Sequence, residues 1–292
     1  GAGSSCGKNL SKETFSTLGI QKKTNYALRE DMTKKEFVKE LLDGMPLPPK
    51  YFKDNAMMNK LGYNSFEDVI EQGNKSLDID EFKNFLLNPE IILLDVRHQK
   101  DFMNKHIPNS IFIGLNGSFA PWVGSIIEDT NKKILLITPE GKEVETLTRL
   151  SRVGFDSCLG FLNGGINEWE NQGNPISSIE TIKSKDFVDI LKLNKINILD
   201  VRSKSEFDNK HIEGAINFPL NSLQEMSKEI KYEDKLYVHC AGGYRSVIAI
   251  SILMKLGFKA MTNITEGFNE ILKCNLNENC YNSINSSNCN NT

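Results

Sequence analysis

The 292-residue sequence lacks an apolar run of the roughly 18 residues that a membrane-spanning helix needs, and it lacks an excess of positive charge. Its formal net charge is −3, so we expect no nucleic-acid partner and no membrane association. Residues 1–6 have neither the basic start nor the apolar stretch of a signal peptide. The sequence also begins without methionine, from which we expect a fragment or a processed product.

Cysteine and histidine are scarce as well. Six cysteines at irregular spacing do not form a disulfide framework, which favours a reducing, cytoplasmic setting. The composition, 39% hydrophobic and 25% charged, is that of an ordinary globular protein. The length allows two or three domains at about 100–150 residues each.

The chain repeats itself. Asp95 matches Asp200 and His106 matches His211, and each pair lies 105 positions apart. Later matching glycines are 102 or 103 positions apart, so the first copy carries a few extra residues, which we place between 114 and 129. A period near 100 residues is far longer than the period of a solenoid repeat and indicates a duplicated domain.

Each copy alternates short apolar runs with amphipathic runs. This pattern predicts an α/β fold in which each copy is a mostly parallel sheet flanked by helices. In the second copy we predict strands at 196–201, 215–218, 236–239 and 260–264, and helices at 184–193, 203–208, 223–230 and 246–256.

The predicted domains follow from the repeat. Residues 1–76 form an N-terminal, mainly helical segment, with helices at 34–42 and 65–72 and Ser65 as an N-cap. Residues 77–175 and 176–274 are the two copies. Residues 275–292 are rich in asparagine and serine, which predicts a disordered tail.

The most informative segment is Cys-Ala-Gly-Gly-Tyr-Arg at 240–245, between an apolar run and a helical run. Turns at the carboxyl edge of a parallel sheet are where such folds bind ligands. Two glycines let the loop amides converge on the Cys240 sulfur, and Arg245 and the helix beginning near Ser246 also favour an anion there. We therefore expect a thiolate nucleophile. A buried structural cysteine is the alternative, and Cys158 fits that description.

Three motifs in the second copy resemble a rhodanese domain, the sulfurtransferase family: Leu-Asp-Val-Arg at 199–202, His-Ile-x-Gly-Ala-x-Asn at 211–217 and Cys-x-x-Gly-x-Arg-Ser at 240–246. The resemblance covers nearly all of residues 180–274. It implies that Cys240 takes the outer sulfur of thiosulfate or glutathione persulfide and passes it to cyanide, sulfite or a thiol. The residues expected to bind substrate are Ala241, Gly242, Gly243, Tyr244 and Ser246, with Cys240 and Arg245 catalytic.

Several alternatives bear on the same loop. Four residues separate Cys240 from Arg245, whereas related phosphatases use five, so a phosphatase is the less favoured enzyme. Tyr244 is either a wall of the site or an ordinary loop aromatic. Asp200, Arg202 and His211 recur in the first copy, so we expect them to support the fold. The same structural role is expected of His239, because successive strand residues point to opposite faces.

The first copy is predicted to be degenerate. Thr138 stands at the cysteine position and Glu143 at the arginine position. A carboxylate at that position repels a bound anion, and Pro139 removes one amide donor. We expect this copy to serve packing or contact with a neighbouring domain.

The N-terminal segment, over about residues 1–70, resembles the carboxyl end of a metallo-β-lactamase-fold persulfide dioxygenase. That resemblance implies non-haem iron, whose ligands would lie upstream of Gly1, and assigns no metal or other cofactor to this chain. The alternative to an enzyme is a non-catalytic sulfur-binding or regulatory module docked on such a dioxygenase. The sequence leaves the oligomeric state open.

Overall fold

A computed structural model describes residues 15–28, 31–42, 51–62, 65–229, 235–274 and 281–282. The chain divides into one compact unit that ends at Pro48 and another that begins at Pro49. The first unit contains helix α1 (Leu18–Thr24), a 3-10 turn (Tyr26–Leu28) and helix α2 (Lys34–Leu42), which confirms the helix expected at 34–42. Residues 1–14 and 43–50, which carry much of the dioxygenase resemblance, lie outside the described residues, and that resemblance stays a prediction.

The second unit contains all the other described elements. Its helices are α3 (Tyr51–Leu61), α4 (Phe66–Gly73), α5 (Ile79–Leu86), α6 (Gln99–Asn104), α7 (Phe119–Ile126), α8 (Glu143–Ser151), α9 (Gly165–Asn171), α10 (Ser184–Leu193), α11 (Lys204–Asn209), α12 (Leu223–Met226), α13 (Arg245–Lys255) and α14 (Gly267–Ile271). Its strands are β1 (Ser76–Leu77), β2 (Ile92–Asp95), β3 (Ile111–Phe112), β4 (Ile134–Ile137), β5 (Cys158–Leu162), β6 (Glu180–Ile182), β7 (Asn197–Asp200), β8 (His211–Ile212), β9 (Ile216–Asn217), β10 (Leu236–His239), β11 (Met261–Ile264) and β12 (Tyr281–Asn282).

Two five-stranded sheets have the same topology. The first has the order β1-β5-β4-β2-β3 and the second the order β6-β11-β10-β7-β9, and every pairing within them is parallel. Helices flank both sheets, so the predicted α/β fold of two parallel-sheet domains with an N-terminal helical segment is confirmed. The central strands β4 and β10 are buried along their whole length, as expected of strands covered on both faces.

Helix α13 joins the two domains. Its residues 246–253 are all buried, because it packs both on the second sheet and on β3 at the edge of the first sheet. Side chains from both copies, among them Leu94, Phe112, Val238 and Ile248, belong to one continuous apolar core. The buried Ser251 hydroxyl accepts a hydrogen bond from the Phe112 backbone amide at 3.0 Å, and this bond crosses between the domains.

Helices α3 and α4 pack on the first sheet domain, although the sequence assigned them to a segment that ends at residue 76. Tyr51 of α3 is buried against Gly124, where an added Cβ would lie 2.1 Å from the tyrosine ring. At Gly73 of α4, an added Cβ would lie 2.7 Å from the Leu147 side chain. Ser65 caps α4 as predicted, since its hydroxyl accepts the Asp68 amide.

Two secondary-structure expectations differ from the structure. The helix predicted at 223–230 stops at Met226 and continues as a 3-10 turn, where the Ser227 hydroxyl donates to the Gln224 carbonyl and competes with the helical pattern. Within the tail predicted to be disordered, β12 pairs antiparallel with β8, whose backbone groups offer an edge for strand addition. Residues 275–280 and 283–292 lie outside the described residues.

No helix within the described ranges is long and apolar enough to cross a bilayer.

Replacing Ser251 with alanine should destabilise the protein by about 1–3 kcal/mol, because the buried Phe112 amide loses its acceptor. Urea unfolding of the variant and the wild type measures this difference. Ser125→Ala is the matched control, since its exposed hydroxyl donates only to the Pro121 carbonyl, and we expect a change below about 0.5 kcal/mol. Equal stability of the two variants would contradict the role given to Ser251.

Candidate active site

Cys240 directly follows the central strand β10 and lies at the carboxyl edge of the second sheet. Cys240 is 1% exposed, and it lines the cleft described below. The Gly243 backbone amide donates a hydrogen bond to Cys240 Sγ at 3.1 Å, and the thiol lies 3.7 Å from the buried Ser246 hydroxyl. Of the amides expected to converge on sulfur, the hydrogen-bonded one is that of Gly243.

The backbone of the loop is fixed from the opposite side. The Phe268 amide donates to the Cys240 carbonyl at 2.7 Å, and the Asn269 amide donates to the Ala241 carbonyl at 3.0 Å. Both donors belong to α14, which follows the neighbouring strand β11. Because these carbonyls are held by α14, the loop keeps one backbone path around the sulfur.

Gly243 is required by this path. Its φ of 83° lies in the left-handed region, and a Cβ placed there would come 1.8 Å from the Thr265 carbonyl oxygen. No side chain fits at that distance. The glycine therefore allows both the turn and the amide direction that reaches the sulfur.

Arg245 is paired with a glutamate that the sequence analysis did not single out. Its Nη1 and Nη2 atoms donate to the two carboxylate oxygens of Glu206, each at 2.7 Å. Glu206 also completes the capping box of α11, accepting from the Ser203 amide at 3.0 Å. The Arg245 hydrogen bonds lower the pKa of Glu206 to about 2, and the carboxylate raises the pKa of Arg245.

Tyr244 reaches the first domain. Its hydroxyl donates to the Gly114 carbonyl at 2.9 Å, and its ring meets the edge of the Phe112 ring with centroids 5.7 Å apart. Gly117 leaves room for this ring, since a Cβ there would lie 2.7 Å from it. Burial raises the pKa of Tyr244 to about 12, so the phenol stays neutral and donates.

A cleft of about 540 Å³ opens between the Cys240 loop and the first domain. The first domain contributes Gln99 and four residues from the region where the sequence predicts extra residues in this copy. Arg149 supports that region by donating to the Leu115 carbonyl at 2.7 Å. The lining residues from the first domain are Gln99, Asn116, Gly117, Ser118 and Trp122, and those from the second are Cys240, Gly242, Tyr244 and Arg245.

The residues expected to support the fold are engaged away from the sulfur. Arg202 forms a buried ion pair with Asp200 at 2.6 Å, donates to the Lys210 carbonyl, and lies over the Phe268 ring. His211 Nδ1 lies 2.7 Å from the Phe207 carbonyl. His239 is fully buried, and burial lowers its pKa, so it is neutral at neutral pH.

In the first copy, the corresponding loop binds its own Glu143 carboxylate. Gly141 has a φ of 76°, matching Gly243, but its amide donates to the carboxylate of Glu143 at 3.2 Å. The Thr138 hydroxyl donates to the same oxygen at 3.1 Å. The Glu143 carboxylate thus accepts the hydrogen bonds that a bound anion would accept. A separate cleft lies at this first-copy loop, and its charged lining residues are Arg97, Asp101, Lys105, Glu140 and Glu143.

The four histidines of the chain all lie in the two copies and have contacts there. His106 and His211 each contact a carbonyl within their own copy, His98 caps α6, and His239 is buried beside Cys240. Among the described residues no group of three or more histidine, cysteine or acidic side chains is arranged to hold a metal ion.

Comparison with known proteins gives one family. A family model described as a rhodanese-like domain matches residues 78–172 and 184–274, which together are more than half of the chain. The protein YrkF of Bacillus subtilis (strain 168) is 33% identical over 108 residues, which cover 37% of this chain and 56% of YrkF. Thiosulfate sulfurtransferase GlpE of Coxiella burnetii (strain RSA 331 / Henzerling II) is 30% identical over 80 residues, or 27% of this chain and 75% of GlpE.

Solved structures are also similar. The crystal structure of a rhodanese-related protein from Thermoplasma volcanium is 29% identical in sequence. The match covers 32% of this chain and 91% of that protein, with a TM-score of 0.30. The chain spans little more than half the length of the first curated relatives that it matches.

Gly243→Ala should destabilise the protein by about 3 kcal/mol or more, because the new Cβ meets the Thr265 carbonyl and the loop must move. Gly141→Ala in the first copy is the matched control. It has a similar φ but no atom within 4 Å of the added Cβ, so we expect about 1–2 kcal/mol. Urea unfolding compares the two variants. Equal losses would show that the Thr265 contact does not constrain the loop.

The free energy of unfolding should fall at acidic pH, in part because Glu206 becomes protonated. Its folded pKa of about 2 lies below the ordinary value of 4.5, so the folded state binds this proton less readily than the unfolded state. The stabilisation is complete above about pH 4.5 and is lost as the pH falls toward 2. Unfolding free energies at pH 6 and pH 3 should therefore differ less in Glu206→Gln than in the wild type. The same difference in both proteins would contradict this assignment.

Proposed function

The chain belongs to the rhodanese-like family, and on this premise we propose that it is a sulfurtransferase in which Cys240 carries the transferred sulfur. The observation that supports this most is the position of Cys240 Sγ, in the cleft and within 3.1 Å of the Gly243 amide. A backbone donor at that distance stabilises negative charge on a sulfur atom.

In the first step, the Cys240 thiolate attacks the outer sulfur of the donor. With thiosulfate, the S–S bond of the donor breaks, sulfite leaves with the bonding electron pair, and Cys240 becomes a persulfide anion. With an organic persulfide R–S–SH, the thiolate R–S⁻ leaves and the outer sulfur remains on Cys240 with its proton. Neither reaction requires an oxidant or a reductant.

In the second step, a nucleophilic acceptor attacks the outer sulfur of the Cys240 persulfide. Sulfite takes the sulfur to give thiosulfate, cyanide gives thiocyanate, and a thiolate gives a new persulfide. Cys240 leaves as the thiolate and is ready for another cycle. No general base is needed once the cysteine is ionised, which agrees with the lack of a described contact between a histidine and the sulfur.

The other loop residues have positioning roles in this proposal. Gly242 and Gly243 provide the turn, Ser246 lies near the sulfur, and Tyr244 forms a wall by anchoring the loop to the first domain. The first copy has no nucleophile at Thr138 and provides the opposite wall of the cleft.

The finer context is also a proposal. The resemblance of residues 1–70 supports a natural protein in which a persulfide dioxygenase precedes the two rhodanese-like domains. In such a protein, sulfite formed from a persulfide would be an acceptor for the sulfur on Cys240. The cytoplasmic setting rests on the cysteine content alone.

Cys240→Ser should abolish sulfur transfer from thiosulfate and from glutathione persulfide, because a serine hydroxyl cannot carry the transferred sulfur. After exposure to donor, mass spectrometry of the wild type should find a gain of about 32 Da, one sulfur atom, on the peptide that holds Cys240.

The matched control is Cys274→Ser. Cys274 is half-buried, and its thiol contacts the Glu270 carbonyl outside the cleft, so turnover should stay at the wild-type rate. Unchanged turnover in Cys240→Ser, or the mass gain on another cysteine, would refute the proposed function.

A further inference from the structure

The charge of the cleft depends on one ion pair. Among the described residues that line the cleft, Arg245 is the one with a formal charge, and both of its terminal nitrogens donate to Glu206. Glu206 is not itself among the lining residues. The guanidinium at the mouth of the cleft is therefore largely neutralised by a carboxylate directly behind its hydrogen-bonding edge.

Glu206 is held in this position independently of Arg245. Its Oε2 atom accepts from the Ser203 amide at 3.0 Å and from the Ser203 hydroxyl at 2.8 Å, which closes the capping box of α11. A bidentate arginine–carboxylate pair has a fixed geometry, and the helix cap fixes the carboxylate partner. An incoming anion must compete with Glu206 for the same guanidinium edge.

Apart from the Cys240 sulfur, the rest of the cleft is neutral. The first domain presents the amides of Gln99 and Asn116, the hydroxyl of Ser118 and the indole of Trp122. The volume of about 540 Å³ is within the usual range for sites that bind organic molecules, and far exceeds what a small inorganic ion fills. Neutral polar groups beside an aromatic ring match an organic group with amide or similar functions.

We propose that the Glu206–Arg245 pair makes the Cys240 site selective for organic low-molecular-weight persulfides over thiosulfate. This inference rests on the proposed sulfurtransfer through Cys240 and names the donor class of that site. Thiosulfate is a dianion, and its leaving group, sulfite, keeps two negative charges. The Glu206 carboxylate repels a dianion twice as strongly as a monoanion at the same distance, and Arg245 is already engaged.

The reacting end of an organic persulfide carries at most one negative charge, so the Glu206 carboxylate repels it less than it repels thiosulfate. Its S–S bond breaks to release R–S⁻ with one negative charge, and the outer sulfur stays on Cys240. The organic group R then contacts the neutral residues with which the first domain lines the cleft. Glu206 acts here through Arg245, so it is a specificity-determining residue and not a catalytic one.

Glu206→Gln tests the role of the charge. Glutamine can keep the capping box with Ser203, so the substitution removes the negative charge while preserving the helix cap. We expect the ratio of kcat/KM for thiosulfate to kcat/KM for glutathione persulfide to rise about tenfold in this variant. A ratio that stays at the wild-type value, or falls, would overturn the proposal.

Asp208→Asn is the matched control. It removes a carboxylate from the same helix, but that carboxylate pairs with Lys204 and does not contact Arg245. Its ratio should equal that of the wild type. An equal rise in both variants would mean that general charge, and not the Arg245 pair, controls selectivity, and would also overturn the proposal.

The wild type provides a test that needs no variant. Formation of the Cys240 persulfide is followed by mass spectrometry at equal concentrations of thiosulfate and glutathione persulfide. Faster loading from glutathione persulfide supports the proposal, and faster loading from thiosulfate refutes it while leaving the sulfurtransferase function intact. Loading from neither donor would refute the proposed function itself.

Discussion

The hydrogen bond from the Gly243 amide to Cys240 Sγ is the interaction on which the rest of the site depends. It requires a backbone path that a side chain at residue 243 would block against the Thr265 carbonyl. The path is held by α14, whose amides donate to the Cys240 and Ala241 carbonyls, and by Tyr244, whose hydroxyl donates to Gly114 of the first domain. The sulfur therefore faces a cleft whose two walls come from different copies of one fold.

The two copies show how the same loop can have opposite uses. Both contain a glycine with positive φ whose amide turns toward the start of the loop. In the second copy this amide meets the Cys240 sulfur, and in the first it meets the Glu143 carboxylate. The Glu143 carboxylate is part of the chain and accepts the hydrogen bonds of this loop, so the first-copy loop cannot bind another anion in the same place. The first copy instead contributes the neutral wall of the cleft.

Much of this protein follows from local sequence patterns. The 105-residue repeat and the alternation of apolar and amphipathic runs predicted two parallel-sheet domains. The loop composition at 240–246 singled out Cys240, and repetition of Asp200 and Arg202 in a copy without the cysteine predicted that they support the fold. The fold prediction is confirmed because it depends on residues that are close in sequence or repeated at one spacing, and the choice of Cys240 depends on a local pattern of the same kind. Two local features were not predicted. The helix expected at 223–230 ends at Met226, where Ser227 bonds to the Gln224 carbonyl, and β12 in the tail pairs with the open edge of β8.

The partners of the loop could not be predicted in the same way. Glu206 lies 39 positions before Arg245, and its capping box with Ser203 gave a signal for a helix start but none for an arginine partner. Trp122 and Asn116 face Cys240 only because α13 packs against the edge of the first sheet. The sequence by itself thus determined the fold of each copy and the identity of the candidate nucleophile, since both are encoded in short-range patterns. The tertiary structure alone decided the charge and shape of the cleft, because these depend on contacts between segments that are remote along the chain.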